Sequence, residues 1–333
     1  MSTPGLVDRF GRVHTDLRIS LIDKCNLRCT YCLPAEGVPW MARDELLSRE
    51  ELRAIAAVAV ASGITEIRLT GGEPLLRPDL EDLVADLASL EGEDGPIELS
   101  MTTNGIGLHH RAHRLADAGL ARVNISLDTV DPETFRTMTR RPRLDAVLAG
   151  VDAALAADLR PVKINTVLMR GQNDHQAVDL LTWAVERGVE LRFIEQMPLD
   201  AGHTWERGDM VTRAEVMAAL EQRFTLTPLP GRGAAPAERF LVDGGPAVVG
   251  LIASVTAPFC GACDRLRVTA DGQLRSCLFA RSETDLRGPL RAGADHAELA
   301  ALFREATLGK QPGHGIDDPG FLQPPRPMSA IGG

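Results

Sequence analysis

Over its first two thirds the chain alternates short apolar runs with amphipathic stretches, and this alternation restricts it to a mostly parallel α/β sheet. Apolar runs bounded by turn residues fall at 17–22, 64–70, 97–102, 122–127, 162–168 and 190–194, each of strand length. Between them, helical periodicity covers 48–61, 79–89, 108–118, 144–157 and 174–187. Ser62-Gly63, Ala118-Gly119 and Arg187-Gly188 place a glycine just past three of these stretches, where a helix needs a left-handed residue to stop. Six such repeats predict an open α/β barrel whose reactive groups sit at the C-terminal ends of the strands.

The pattern breaks at 228–237, a stretch rich in Pro, Gly and Ala that reads as a boundary or exposed connection. With 333 residues, 44% of them apolar, the chain can bury a full core and a further module. The formal net charge of −10 argues against non-specific binding to nucleic acid or to an anionic membrane, so an anionic ligand would need its own basic pocket. No segment is long and apolar enough to span a bilayer, and residues 1–10 lack the basic start and apolar run of a signal peptide. A cytoplasmic location is the expectation. In a reducing compartment, six cysteines gathered into two tight groups favour metal or catalysis over disulfides.

The first group follows the first strand: Cys25-Asn26-Leu27-Arg28-Cys29-Thr30-Tyr31-Cys32. Three thiolates at this spacing can hold three irons of a four-iron cubane and leave the fourth open for chemistry. A zinc knuckle is the plainer alternative, but zinc wants four ligands and neither His nor a fourth Cys lies nearby. An aromatic residue just before the last Cys resembles the radical S-adenosylmethionine superfamily. There, the amino and carboxylate groups of S-adenosylmethionine bind the open iron. Thr70-Gly71-Gly72-Glu73-Pro74, at the end of the second strand, would alone be read as a tight turn. After the cysteine motif it resembles the superfamily's second signature, whose backbone binds the methionine amino group. Ser126 and Met197 sit at equivalent strand ends, where packing or a turn hydroxyl is the alternative.

The second group is Cys260-Gly261-Ala262-Cys263 with Cys277 further on, which spacing alone leaves open to a zinc ribbon lacking one ligand. It runs into Asp264-Arg265-Leu266-Arg267. Two arginines alternating on a strand share a face, and their planar forks suit phosphate oxygens. Arg18, Arg68 and Lys163 also lie on expected strands, which could aim them into one lumen rather than leave them as surface charge. There is no Gly-x4-Gly-Lys-Ser/Thr loop, so side chains would have to hold any phosphates. His109, His110 and His113 read as decoration of an exposed helix rather than as metal ligands.

With this segment the resemblance narrows to the GTP 3′,8-cyclase family, molybdenum cofactor biosynthesis protein A, from Leu17-Arg18-Ile19-Ser20 to the terminal Gly332-Gly333. It implies an incomplete (βα)6 TIM-like barrel at 1–227 and a C-terminal extension at 228–333 carrying a second iron–sulfur cluster. Two [4Fe-4S] clusters are implied, on Cys25, Cys29 and Cys32 and on Cys260, Cys263 and Cys277. S-adenosyl-L-methionine contacts match Tyr31, Gly72, Ser126 and Met197. GTP contacts match Arg18, Arg68, Thr102, Lys163, Arg265, Leu266 and Arg267, with Arg265, Arg267 and the Gly332-Gly333 tail in catalytic roles. Asp264 departs from the pattern, which leads one to expect Asn there.

By the same resemblance, an electron entering the first cluster cleaves S-adenosylmethionine to methionine and a 5′-deoxyadenosyl radical. That radical takes the ribose 3′ hydrogen of GTP, the carbon radical adds to guanine C8, and the second cluster anchors the guanine. The product is (8S)-3′,8-cyclo-7,8-dihydroguanosine 5′-triphosphate, in the first step of molybdopterin synthesis. Implied partners are GTP, a reductant of the flavodoxin or ferredoxin kind, and cyclic pyranopterin monophosphate synthase as the enzyme receiving the product. A homodimer is left open; no nucleic acid and no membrane are expected. The rivals are a peptide-modifying radical enzyme with an auxiliary cluster, which usually has more C-terminal cysteines, and a non-catalytic iron–sulfur or zinc protein.

Overall fold

The computed structural model describes residues 5–93 and 95–332. In chain order the strands are β1 (Asp16–Ser20), β2 (Glu66–Thr70), β3 (Glu91–Gly92), β4 (Gly95–Pro96), β5 (Glu98–Thr103), β6 (Arg122–Ser126), β7 (Lys163–Val167) and β8 (Glu190–Ile194). They continue as β9 (Leu226–Pro228), β10 (Glu238–Val242), β11 (Val248–Ile252), β12 (Arg265–Val268), β13 (Gln273–Arg275) and β14 (Thr284–Asp285). The helices are α1 (Arg49–Ala61), α2 (Leu80–Ala88), α3 (Ala112–Asp117), α4 (Pro132–Thr139), α5 (Leu144–Ala156) and α6 (Ala177–Arg187). Four more follow: α7 (Arg213–Leu220), α8 (Arg287–Arg291), α9 (His296–Leu308) and α10 (Met328–Ile331).

Local chemistry explains where the helices begin and end. Ser48 caps α1 through a reciprocal pair of hydrogen bonds with Glu51, and Asp295 does the same for α9 with Glu298. Gly63, Gly119 and Gly188 all take positive φ after their helices. The stretches 108–118 and 174–187 each open with a 3-10 turn before α3 and α6, because neither carries a side-chain cap at that point. Helix α4 has no counterpart among the sequence expectations. It is eight residues long and buries only Phe135, Met138 and Thr139, too little periodicity to stand out. Its C-terminal carbonyls nevertheless hold the first cysteine loop: the Arg28 N–H donates to Thr139 (3.0 Å) and the Thr30 N–H to Met138 (2.9 Å).

Twelve strands form one sheet in the order β14-β13-β12-β1-β2-β5-β6-β7-β8-β11-β10-β9. From β12 to β11 every neighbouring pair is parallel. The six expected strands are therefore flanked on both sides by strands from the C-terminal region, where only the Arg265–Arg267 segment reads as strand and no strand–helix alternation reveals the others. Side chains alternate across each strand. One set, including Leu17, Ile19, Ile67, Leu69, Val123, Ile125, Leu191 and Leu266, is fully buried in the main apolar core. Burying each such side chain stabilises the fold by about 1.5–3 kcal/mol. The other set is mostly polar and faces a cavity.

Eight parallel strands laid flat would span roughly 34 Å at about 4.8 Å each. Yet a single cavity of about 270 Å³ touches all eight, through Arg265 and Arg267, Arg18, Arg68, Thr102, Ser126, Asn165, Arg192 and Ile252. The sheet therefore curls around the cavity, and it stays open between its edge strands β14 and β9.

Candidate active site

The loop after β1 brings Cys25, Cys29 and Cys32 to one cavity of about 160 Å³, which Thr70, Gly71 and Gly72 also line. The two-glycine turn after β2 lies directly against this loop. Gly72 N–H donates to the Ile22 carbonyl (2.6 Å) and Glu73 N–H to that of Lys24 (2.8 Å). A Cβ on Gly72 would stand 2.5 Å from the Lys24 carbonyl carbon, so only glycine permits the approach. The Glu73 carboxylate accepts from Thr103 Oγ1 (2.6 Å), Asn104 N–H (2.7 Å) and Leu75 N–H (2.9 Å), although burial raises its pKa to about 7. It thereby ties the ends of β2 and β5 together. Leu27 N–H points at the Cys25 sulfur (3.5 Å).

All six cysteines are free thiols. Burial raises the pKa of Cys25, pushes that of Cys29 well above the usual range, and moves Cys32 up to about 12. Thiols in such a dry, negatively biased site become ligands when a cationic centre stabilises their thiolates. Among the described residues, no group of three His, Cys, Asp or Glu side chains is gathered closely enough to enclose a single metal ion. Each cysteine trio instead lines a cavity wall. Three sulfur donors on the wall of a void fit the four-iron cluster of the sequence reading, in both places.

The second trio, Cys260, Cys263 and Cys277, lines the larger cavity beside Arg265 and Arg267. Burial pushes the Cys263 thiol up, but the Arg265 and Lys310 charges outweigh it and bring the group down to about 7. Phe279 N–H donates to Cys277 (3.4 Å), and the Arg265 guanidinium lies 4.8 Å from the Phe259 ring centroid.

A row of cations crosses the cavity floor because strand register places it there. Arg267 pairs with Arg18, and Arg18 with Arg68. Burial, then the neighbouring Arg68 and Arg267, drive the Arg18 pKa well down. Asp16, one pleat below, faces the same arginines, and their charges hold its carboxyl low against burial. Even so, Arg18 Nε and Arg265 Nη2 are buried without a hydrogen-bond partner. Buried guanidinium N–H groups that lack acceptors suit an anion with several oxygens.

The two cavities share a wall made of Tyr31, Thr102, Ser126, Asp128 and Met328. The Tyr31 hydroxyl donates to Asp128 (2.7 Å), whose carboxyl burial raises to about 6. Met197 lines the larger cavity and Gly72 the smaller. Lys163 lies on the same face of β7 as Asn165 but one pleat lower, off the cavity wall. The Leu266 side chain points the other way, into the apolar core. The Gly332 carbonyl accepts from Arg267, and its Cα side faces Thr70 and Ser20 at the ends of β2 and β1. Gly333 lies outside the described residues. His109, His110 and His113 are exposed.

Sequence reasoning missed Arg192, Asn124, Asn165, Asp128 and Phe259, all of which line the cavity. A signal for Arg192 was present. Asp16-Leu17-Arg18, Glu66-Ile67-Arg68 and Glu190-Leu191-Arg192 repeat an acid–apolar–Arg triplet on three strands. The asparagines and Phe259 carry no such mark.

Comparison with known proteins follows the same lines. Residues 19–184 match the model of the Radical SAM superfamily, and residues 189–316 that of Molybdenum Cofactor Synthesis C. The GTP 3′,8-cyclase of Streptomyces coelicolor is 58% identical, over 98% of this chain and 96% of its own. The chain belongs to the GTP 3′,8-cyclase family. A second family member, from Corynebacterium glutamicum, is 56% identical over 98% of this chain and 89% of its own. Among solved structures, Streptococcus suis SuiB bound to S-adenosylmethionine superposes with a TM-score of 0.60 at 14% identity, over 89% of this chain and 69% of that one. At that identity the likeness speaks for the fold alone. The cyclase family is one of radical S-adenosylmethionine enzymes with two iron–sulfur clusters, and both cysteine trios are present here.

Proposed function

We propose that this enzyme binds GTP in the larger cavity and S-adenosylmethionine in the smaller, and cyclises GTP to (8S)-3′,8-cyclo-7,8-dihydroguanosine 5′-triphosphate. One observation carries the reading: two cysteine trios open into two cavities that share a wall, so ligands bound on the two sides lie side by side there. Bound at the first trio, a four-iron cluster with S-adenosylmethionine supplies the primary radical that the reaction needs.

The chain's own residues bind, orient and shield. Cys25, Cys29 and Cys32 hold the first cluster, and Cys260, Cys263 and Cys277 the second. Gly72 lets the backbone close over the methionine end, while Tyr31 and Ser126 on the shared wall bound the adenosine and Met197 meets it from the larger cavity. Tyr31 keeps a fixed orientation because its hydroxyl is engaged by Asp128. Arg18, Arg68, Arg265 and Arg267 offer guanidinium forks to the triphosphate, which supplies acceptors for the unpartnered N–H groups. Thr102 stands between the two ligands, Lys163 adds positive charge from below, and Leu266 holds its two arginines on one face by anchoring in the core.

Gly332, whose carbonyl accepts from Arg267, brings the tail against the substrate arginines, where it helps to exclude water from a reactive radical. The division at 227/228 is a functional one: the first part carries the first cluster and the second part the other, within one sheet. A flavodoxin- or ferredoxin-like reductant and cyclic pyranopterin monophosphate synthase complete the reaction's surroundings. Anaerobic incubation of the reconstituted enzyme with GTP and S-adenosylmethionine tests the proposal. The expected products are 5′-deoxyadenosine and the cyclised nucleotide; 5′-deoxyadenosine without any GTP-derived product would reject it.

A further inference from the structure

A lysine ammonium is almost never fully buried unless something of opposite charge or strong acceptor character meets it. Lys310, two residues beyond α9, is 2% exposed. Its Nζ donates to the Arg265 carbonyl at 2.6 Å, a length typical of a charged donor, and lies 3.5 Å from the Cys263 sulfur. Among the described residues no carboxylate pairs with it. Asp8 is engaged instead by Arg12 (2.6 Å) and His14 (3.2 Å). The negative partner left for this ammonium is the sulfur.

The loop that carries Lys310 is fixed in place. Arg12 donates to the carbonyls of Gln311 (2.7 Å) and Pro312 (3.3 Å) and also to that of Cys260 (2.7 Å). One guanidinium thus joins the segment after α9 to the segment that bears two of the three thiols. Lys310 itself is held from behind by its N–H to Thr307 (3.0 Å), at the end of α9. An N–H···S contact at one ligand and a positive charge beside it both favour the more negative, reduced form of an iron–sulfur cluster.

We propose that Lys310 is the charge partner of the second cysteine trio, raising the reduction potential of the cluster held there and helping to retain its iron. This rests on the reading of Cys260, Cys263 and Cys277 as a cluster site. Lys310 is a positioning and tuning residue; it does not line the substrate cavity.

The test is an anaerobic redox titration of the reconstituted full-length enzyme followed by electron paramagnetic resonance, with iron counted per chain. The second cluster's signal is identified by its change on adding GTP. Lys310→Met keeps the length of the side chain and removes its charge; Lys310→Arg keeps the charge. The expected result is a lower midpoint for the second cluster in Lys310→Met, a return toward the wild-type value in Lys310→Arg, and an unmoved first cluster in both. Loss of iron from the second site in Lys310→Met with retention in Lys310→Arg supports the proposal equally. It is overturned if the second midpoint is the same in Lys310→Met as in the wild type, or if Lys310→Arg behaves like Lys310→Met. A wild-type enzyme that loads only one cluster would instead remove the cluster reading on which it rests.

Discussion

Replacing Gly72 by Ala would add one methyl group at the tightest backbone crossing in the site. The new carbon would stand 2.5 Å from the Lys24 carbonyl carbon and closer still to the Lys24 and Asp23 carbonyl oxygens. Carbon–carbon contacts settle at about 3.5–4.0 Å, so roughly 1 Å of displacement is required. The obstacle is backbone rather than the end of a flexible side chain, and this backbone is pinned at Ile22 and Lys24 by the two hydrogen bonds from Gly72 and Glu73. Relief must therefore move Lys24 and with it Cys25, the next residue. Overpacking costs about 1–3 kcal/mol, and each loosened hydrogen bond about 1 kcal/mol more. A total of about 2–5 kcal/mol weakens the docked loop by roughly thirty-fold to a few thousand-fold. Iron per chain and 5′-deoxyadenosine formation, measured after anaerobic reconstitution, report the outcome. We expect iron to fall toward half, because the second trio is untouched, and cleavage of S-adenosylmethionine to be lost. Gly208→Ala, where an added Cβ meets nothing within 4 Å, serves as the control. Full iron and wild-type cleavage in Gly72→Ala would refute the reasoning.

Other positions are open to equally direct tests. Gly332 has φ +86°, and an added Cβ would meet Thr70 and lie 3.2 Å from Ser20 Cβ. Gly332→Ala should cost about 1–3 kcal/mol of tail docking and lower the yield of cyclic nucleotide per 5′-deoxyadenosine by about five-fold or more; an unchanged ratio would return the tail to a passive role. Cys263→Ala should keep S-adenosylmethionine cleavage while abolishing cyclisation, as product analysis would show, and cyclisation at the wild-type rate would make the second site merely structural. Burial, with help from the Arg192 charge, lowers the Lys163 pKa to about 8. Its ammonium is thus present below pH 8 and lost above it, so GTP affinity measured by calorimetry should weaken as pH rises through 8. Lys163→Arg should flatten that dependence, and parallel profiles for the two proteins would exclude Lys163 from binding.

Much of this enzyme is legible in its sequence because the relevant physics is local. The Cys25, Cys29 and Cys32 spacing lies within one loop, the Gly71-Gly72 turn within another, and strand periodicity located β1, β2 and β5 to β8 to within two residues at each end. Helix α4 escaped because so short a helix, with so few buried apolar residues, has no pattern to read. The strands β9 to β11, β13 and β14 escaped because they are short and irregularly spaced, and because they gain their stability by adding to a sheet that already exists. Lys310 and Arg12 were invisible for a different reason. Each takes its meaning from partners far away in the chain: Arg12 from Cys260, and Lys310 from Cys263 and Arg265.

The sequence by itself determined the parallel α/β class, the two sets of sulfur donors, and the alternation that puts Arg265 and Arg267 on one face. Spacing, periodicity and side-chain chemistry are properties of short segments, and a reader of the chain has all of them. Tertiary structure decided that strands from the far end of the chain would flank both sides of the sheet and that the sheet would curl. It also decided that register would set Arg267, Arg18 and Arg68 in one row, and that Asp128 and Met328 would help to wall the boundary between the two cavities. Register and curvature come from packing many side chains at once, so no single segment encodes them.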